Sequence, residues 1–141
     1  PPDIHRSNTF VVLVNKDDQL LFNGELGKIN LLKERAKEFL SNPNNLDNLP
    51  EKMTKDIPLL GTVEVSKGVI SLQNDRGTSY EMYLMVQNEL TAAVNELRDE
   101  MAKTKFGKAY VDCSEAQREA IDKAIPIAIS EAEPKNIGGN K

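Results

Sequence analysis

The chain has one histidine, one cysteine and no tryptophan, and aromatic residues make up only 5% of it. Each scarcity excludes a chemistry. His5 stands alone in a polar N-terminal stretch, whereas metal sites and Ser-His-Asp or Cys-His nucleophiles need partners at defined spacing. Cys113 has no second cysteine to pair with, no nearby histidine and no Cys-x-x-Cys context, so it reads as a structural thiol. A basic excess is also missing: 18 Lys and Arg stand against 22 Asp and Glu, a formal charge of −4. That argues against nucleic acid as a partner, because phosphate binding needs a basic footprint. The longest apolar runs, such as Phe10 to Val14, fall far short of the ~20 residues a membrane helix requires, and no signal-peptide pattern opens the chain. Gly138-Gly139 sits in the tail, not between a strand and a helix, so there is no phosphate loop. Asp17-Asp18 and the pair Asp75 and Glu81 could be imagined as an acid and a base. Turns and a helix cap account for them better. No catalytic residue, metal or cofactor is expected, and the chain reads as non-enzymatic.

What is present is the composition of one globular domain: 141 residues, 39% hydrophobic and 28% charged, enough to bury a core. The chain opens Pro1-Pro2 without a methionine, which reads as a processed or excised piece. Residues 1–8 are polar and expected to be a linker, and residues 135–141 a flexible tail. Thr9 to Asn15 reads as a strand with both faces apolar, hence central or doubly covered. Lys16-Asp17-Asp18 turns it into a second strand, Gln19 to Asn23. Gly24 to Gly27 breaks the pattern, and Lys28 to Leu40 follows as a helix. Ser41 to Asp56 has turn chemistry but no period. Ile57 to Val65 and Val69 to Gln73 flank Ser66-Lys67-Gly68, which predicts a tight hairpin with Gly68 left-handed.

The stretch from Ile70 to Met101 organises the rest. A strand, Ile70 to Gln73, meets a polar turn, Asn74-Asp75-Arg76-Gly77, where Gly77 is expected at positive φ. Thr78 and Glu81 fit a capping box. Tyr83, Val86, Leu90, Ala93, Leu97 and Met101 then recur on one helical face. Gly107 is a plausible C-terminal cap. Ser114 to Gln117 is a second capping box, opening a short helix to Ala124. Pro126 stops it, and Ile125, Ile127 and Ile129 alternate as a last short strand, Ile125 to Ser130. A strand that passes so directly into a helix is half of an α/β layer. The fold expected is α+β: a mixed sheet of about five strands, two main helices on one face and a short third helix.

The run Ile70 to Val86, with its apolar strand, Asp75, turn, Tyr80 and amphipathic helix, resembles the ExbD/TolR family of biopolymer-transport proteins, in particular the long ExbD-like proteins of the Bacteroidetes type. The likeness extends through Asn15 to Leu21, the central strands and Ser130 to Pro134. It implies the periplasmic domain, residues 9–134, of a single-span inner-membrane protein, anchored by a helix absent from this chain. Such proteins work as homodimers with ExbB- or TolQ-like membrane partners. Driven by the proton motive force, they energise TonB- or TolA-like proteins and so outer-membrane transport or integrity. The family's proton-handling Asp lies in the missing helix. Asp75 and Tyr80 carry over only as turn and interface residues. Family domains dimerise through the sheet side and meet TonB-like partners partly by strand addition, so Ile125, Ile127 and Ile129 are the expected dimer or partner edge. Short members lack residues 42–66 and the helix near Ser114 to Ala124. The alternative is a peptidoglycan-binding or periplasmic protein-interaction module of a related motor.

Overall fold

The computed structural model describes residues 6–131. His5, most of the expected linker and the tail 135–141 lie outside that range. The first described residues, Arg6–Asn8, form one 3-10 turn. The elements that follow are β1 (Thr9–Val14), β2 (Leu20–Phe22), β3 (Glu25–Gly27), α1 (Ile29–Ser41), β4 (Lys52–Ile57), β5 (Gly61–Ser66), β6 (Val69–Asn74), α2 (Tyr80–Phe106), α3 (Glu115–Ala124) and β7 (Ile129–Glu131). Five strands form one mixed sheet in the order β3-β2-β1-β6-β7. β1 lies in the middle, antiparallel to β2 and parallel to β6, and β6 is parallel to β7. The fold is α+β, as its periodicities predict.

Alternation along β1 explains the layering. Phe10, Val12 and Val14 are buried and pack with Leu20, Phe22, Ile70 and Leu72 against Leu32, Ala36 and Phe39 of α1 and Val86, Leu90, Ala93 and Val94 of α2. On the opposite face Val11, Leu13 and Leu21 are only half-buried and Leu26 is exposed. β1 is therefore central, as expected, and among the described residues only one of its faces is covered. α1 and α2 are further joined by an ionic zipper. Lys33 reaches Glu96 at 2.6 Å, and Lys37 reaches Glu96 at 3.1 Å and Glu100 at 2.8 Å. The pairs sit four residues apart on each helix, which places them on facing stripes.

Several local expectations are corrected. β5 and β6 do not pair: β5 pairs with β4 in a separate two-stranded sheet. The connection at Gly68 is no hairpin turn, and Gly68 does not take positive φ. A Cβ there would lie 2.7 Å from Pro50 and 2.9 Å from Phe39, so close packing demands the glycine. Gly77 likewise is not at positive φ, and a Cβ would meet Lys16 Cβ at 2.9 Å. β3 occupies residues 25–27 of the supposed break, β4 takes residues 52–56 of the segment read as irregular, and the expected strand Ile57 to Val65 is divided by a turn at 58–60, with Ile57 ending β4 and β5 following. The rest of that segment is built on one buried side chain. Asn42 ends α1 in the left-handed region. Its Oδ1 accepts from Leu46 N at 2.8 Å, and its Nδ2 donates to Leu46 O at 3.2 Å and Pro50 O at 2.9 Å.

The β4–β5 hairpin and α3 meet in space. Ile57 and Val65 of the β4–β5 hairpin share a small core with Ala120 and Ala124 of α3. Ala102, Cys113 and Ile121 form another beneath the end of α2, so Cys113 is a buried thiol. Both the α3 capping box at Ser114 and Gln117 and the left-handed Gly107 cap occur as expected.

Two outcomes follow. Asn42→Ala removes three hydrogen bonds and strains a left-handed residue, and is expected to lower the unfolding free energy by about 2–3 kcal/mol in denaturant melts. The Lys33 and Lys37 hydrogen bonds hold the Glu96 carboxyl below its ordinary value of 4.5. A lowered folded pKa gives stability that is present above the unfolded value and lost as pH falls through the folded one. Thermal melts between pH 7 and pH 3 are therefore expected to fall less steeply in Glu96→Gln than in the parent.

Candidate partner interface

Two turns interlock where β1 and β6 end. Asn15 Oδ1 accepts from the N–H groups of Asp17 and Gln19, both at 2.9 Å, which closes the β1–β2 turn. Asp18 takes φ 59° and points its Oδ1 at Ser79 N, 2.9 Å away. Thr78 Oγ1 donates to the carbonyls of Val14 at 3.0 Å and Asn15 at 3.2 Å. That use of the Thr78 hydroxyl overturns the expected Thr78–Glu81 capping box. The cap of α2 moves one residue on, to Ser79, whose side chain accepts from Met82 N at 3.1 Å.

Asp75 belongs to this knot. It is 6% exposed, its Oδ1 accepts from Arg76 N at 2.7 Å, and its own N–H donates to Val14 O at 2.9 Å. It braces the turn from inside. Tyr80, five residues on, is 74% exposed and starts α2 facing solvent. Beside the knot runs a shallow trough of about 370 Å³, lined by Asp18, Leu20, Leu26, Ile29 and Met82. With Tyr80 and the exposed Leu26, this end of the molecule presents apolar surface around a rigid polar joint.

The second candidate surface is the β7 edge. The strand is shorter than expected. Ile129 pairs with Ile70, Ser130 with Ser71 and Glu131 with Leu72, but Ile125 to Ala128 are not in strand. Pro126 lacks an N–H, and the carbonyl of Ile125 is taken by Arg98 Nε at 2.8 Å. Ile125 therefore packs inward, where it touches both the main core and the hairpin core. Ile127 is 65% exposed, and Ile129 is half-buried in the edge strand. The far end of β7 is tied to α2: Tyr83 Oη and Gln87 Nε2 both donate to the Glu131 carboxylate, the latter at 2.8 Å.

Parallel pairing puts the two surfaces at opposite ends of the sheet. Ile129 lies beside Ile70 at the start of β6, and Asp75 follows its end, roughly 16 Å away at ~3.3 Å per residue. Asp75 and Tyr80 are thus brought together with Asp18 and Thr78, and not with the three isoleucines. The Asp18–Ser79, Tyr83–Glu131 and Arg98–Ile125 links carried no sequence signal, because the partners lie 27 to 61 residues apart. Among the described residues no group of three or more His, Cys, Asp or Glu side chains could hold a metal ion, and no helix is long and apolar enough to cross a membrane. No protein-family model and no curated protein matches this chain.

The hydrogen bond to Glu131, aided by burial, pushes the Tyr83 hydroxyl up from 10.0 to about 12. A raised folded pKa gives stability present below the unfolded value and lost as pH rises through about 12. Ultraviolet titration is expected to show Tyr83 and Tyr110 ionising late, Tyr110 because of burial and its bond to Asp122, and Glu131→Ala is expected to return only the Tyr83 step towards 10.

Proposed function

We propose that this chain is the non-catalytic periplasmic domain of an ExbD/TolR-like inner-membrane protein, which couples the proton motive force to TonB- or TolA-like partners through an ExbB- or TolQ-like motor. The observation that carries the reading is the β6–Asp75–Tyr80–α2 unit. Its strand, buried turn aspartate, exposed tyrosine and long helix follow the order that motivates the family resemblance. The half-open apolar sheet face of Val11, Leu13 and Leu21, with Leu26 at its margin, suits a second copy of the domain. The β7 edge suits an extended segment of a partner. The hairpin and α3 also favour the reading. They pack on each other outside the five-stranded sheet, so an insertion there leaves the sheet order intact.

The job needs no reacting group. A coupling domain has to hold its shape under load, pair with its twin and release a partner. A hydrogen-bonded joint at one end and a short edge strand at the other meet those needs. Site-specific photocrosslinking in cells, with the probe at Tyr80 or Ile127 of the membrane-anchored protein, tests this directly. Adducts with a second copy or a TonB/TolA-like protein, weakened when the proton gradient is collapsed, are expected. A probe that labels neither contradicts the proposal.

A further inference from the structure

A cleft of about 260 Å³ lies between the start of β1, α1 and the loop after α1. Its floor is Phe10 and Phe39, and Asn23, Arg35, Glu38 and Asn48 stand around it. Arg35 and Glu38 are three residues apart on one helix, a spacing at which opposite charges ordinarily pair. Here they do not. The Arg35 guanidinium lies over the rings of Phe10 and Phe22, 5.8 and 5.6 Å from their centroids. Among the described residues neither Arg35 nor Glu38 makes an ion pair. Proximity to the two rings, whose π faces attract a cation, draws the guanidinium towards them without neutralising it.

Asn23 adds a fixed donor. Its Oδ1 accepts from Val11 N at 2.8 Å and its own N–H donates to Val11 O at 2.8 Å. Both bonds lock the residue against the strand, and among the described residues its side-chain NH₂ makes no hydrogen bond. The cleft therefore offers a planar cation and an amide donor on one side, a carboxylate one helical turn away, and an aromatic floor between. A simple anion meets repulsion from Glu38, and a simple cation meets repulsion from Arg35. A zwitterion satisfies both. Pockets for drug-sized ligands measure roughly 300–1,000 Å³, so a smaller cleft fits an amino acid or the end of a short peptide.

We propose that this cleft binds a zwitterionic amino acid or peptide end. The carboxylate sits on Arg35 and Asn23, the amine on Glu38, and small apolar parts rest on Phe10 and Phe39. The site is independent of the two partner surfaces described above.

Amide and side-chain NMR shifts, followed while trialanine is added to the ¹⁵N-labelled chain, test it. Saturable shifts are expected at the Asn23 side chain and at the Glu38 and Asn48 amides. N-acetyl-trialanine and trialanine amide are each expected to bind at least about tenfold more weakly. Free alanine distinguishes the source: equal binding assigns the site to an amino acid, and much weaker binding assigns it to a peptide end. Arg35→Gln is expected to weaken trialanine binding at least about tenfold. Because Arg35 also packs on the rings, Glu38→Gln serves as the second variant. It is exposed, and should abolish the preference for the free over the acetylated amine. Absence of saturable shifts with all four compounds, or binding that neither substitution alters, overturns the proposal.

Discussion

A 27-residue helix spans about 40 Å, whereas the six-residue strands beneath it span about 20 Å. Much of the structure answers that mismatch. The N-terminal half of α2 rests on the sheet through Val86, Leu90, Ala93 and Val94. Its C-terminal half runs past the sheet and needs another support. Ala102 at that end packs with Cys113 and Ile121, while Met101 contacts the hairpin and α3 core. Polar links reinforce the overhang. Asp99 accepts from Tyr110 N at 2.8 Å, and Tyr110 Oη donates to Asp122 at 2.7 Å. Arg98 pairs with Asp122 at 3.3 Å while holding the carbonyl of Ile125.

This constraint ties the β4–β5 hairpin and α3 to the β7 edge. A two-stranded hairpin alone is marginal in water. Here it is stabilised by α3, which in turn is positioned by α2. α3 then delivers the chain to β7 through Ile125, whose carbonyl and side chain are both anchored. The edge strand is thus set from two directions, by Arg98 before it and by Tyr83 and Gln87 after it. The sheet is thus tied to the N-terminal half of α2 at two places, through Ser79 at the knot and through Glu131 of β7.

Much of this was legible in the sequence where one physical signal dominates. The alternation of Phe10 to Val14, the helical period from Val86 to Leu97, the Gly107 cap and the Ser114 box all report local energetics that the fold keeps. Legibility failed where distant groups compete for a local one. Thr78 is a good cap by composition, but its hydroxyl is claimed by two carbonyls of β1. The β4–β5 turn escaped because Leu59 takes φ 73° there, a conformation disfavoured by roughly 1–2 kcal/mol for a residue with a Cβ. The strand β4 itself buries only Ile57 fully, so its alternation is faint. Gly68 and Gly77 stood out as glycines, yet their cause is contact with Phe39, Pro50 and Lys16, which no local pattern reveals. Of the residues expected at an interface, Tyr80 and Ile127 are exposed. Asp75 is buried, and Ile125 is drawn inward by a neighbouring core.

The central proposal is that the sheet face of Val11, Leu13 and Leu21, half-open to solvent among the described residues, is closed by a second copy of the domain. The solution mass by light scattering across a concentration series tests it most directly. The account predicts a monomer–dimer equilibrium that Leu13→Asp shifts to monomer while the circular dichroism spectrum is unchanged. A strict monomer at every concentration, or a dimer indifferent to Leu13→Asp, would contradict it.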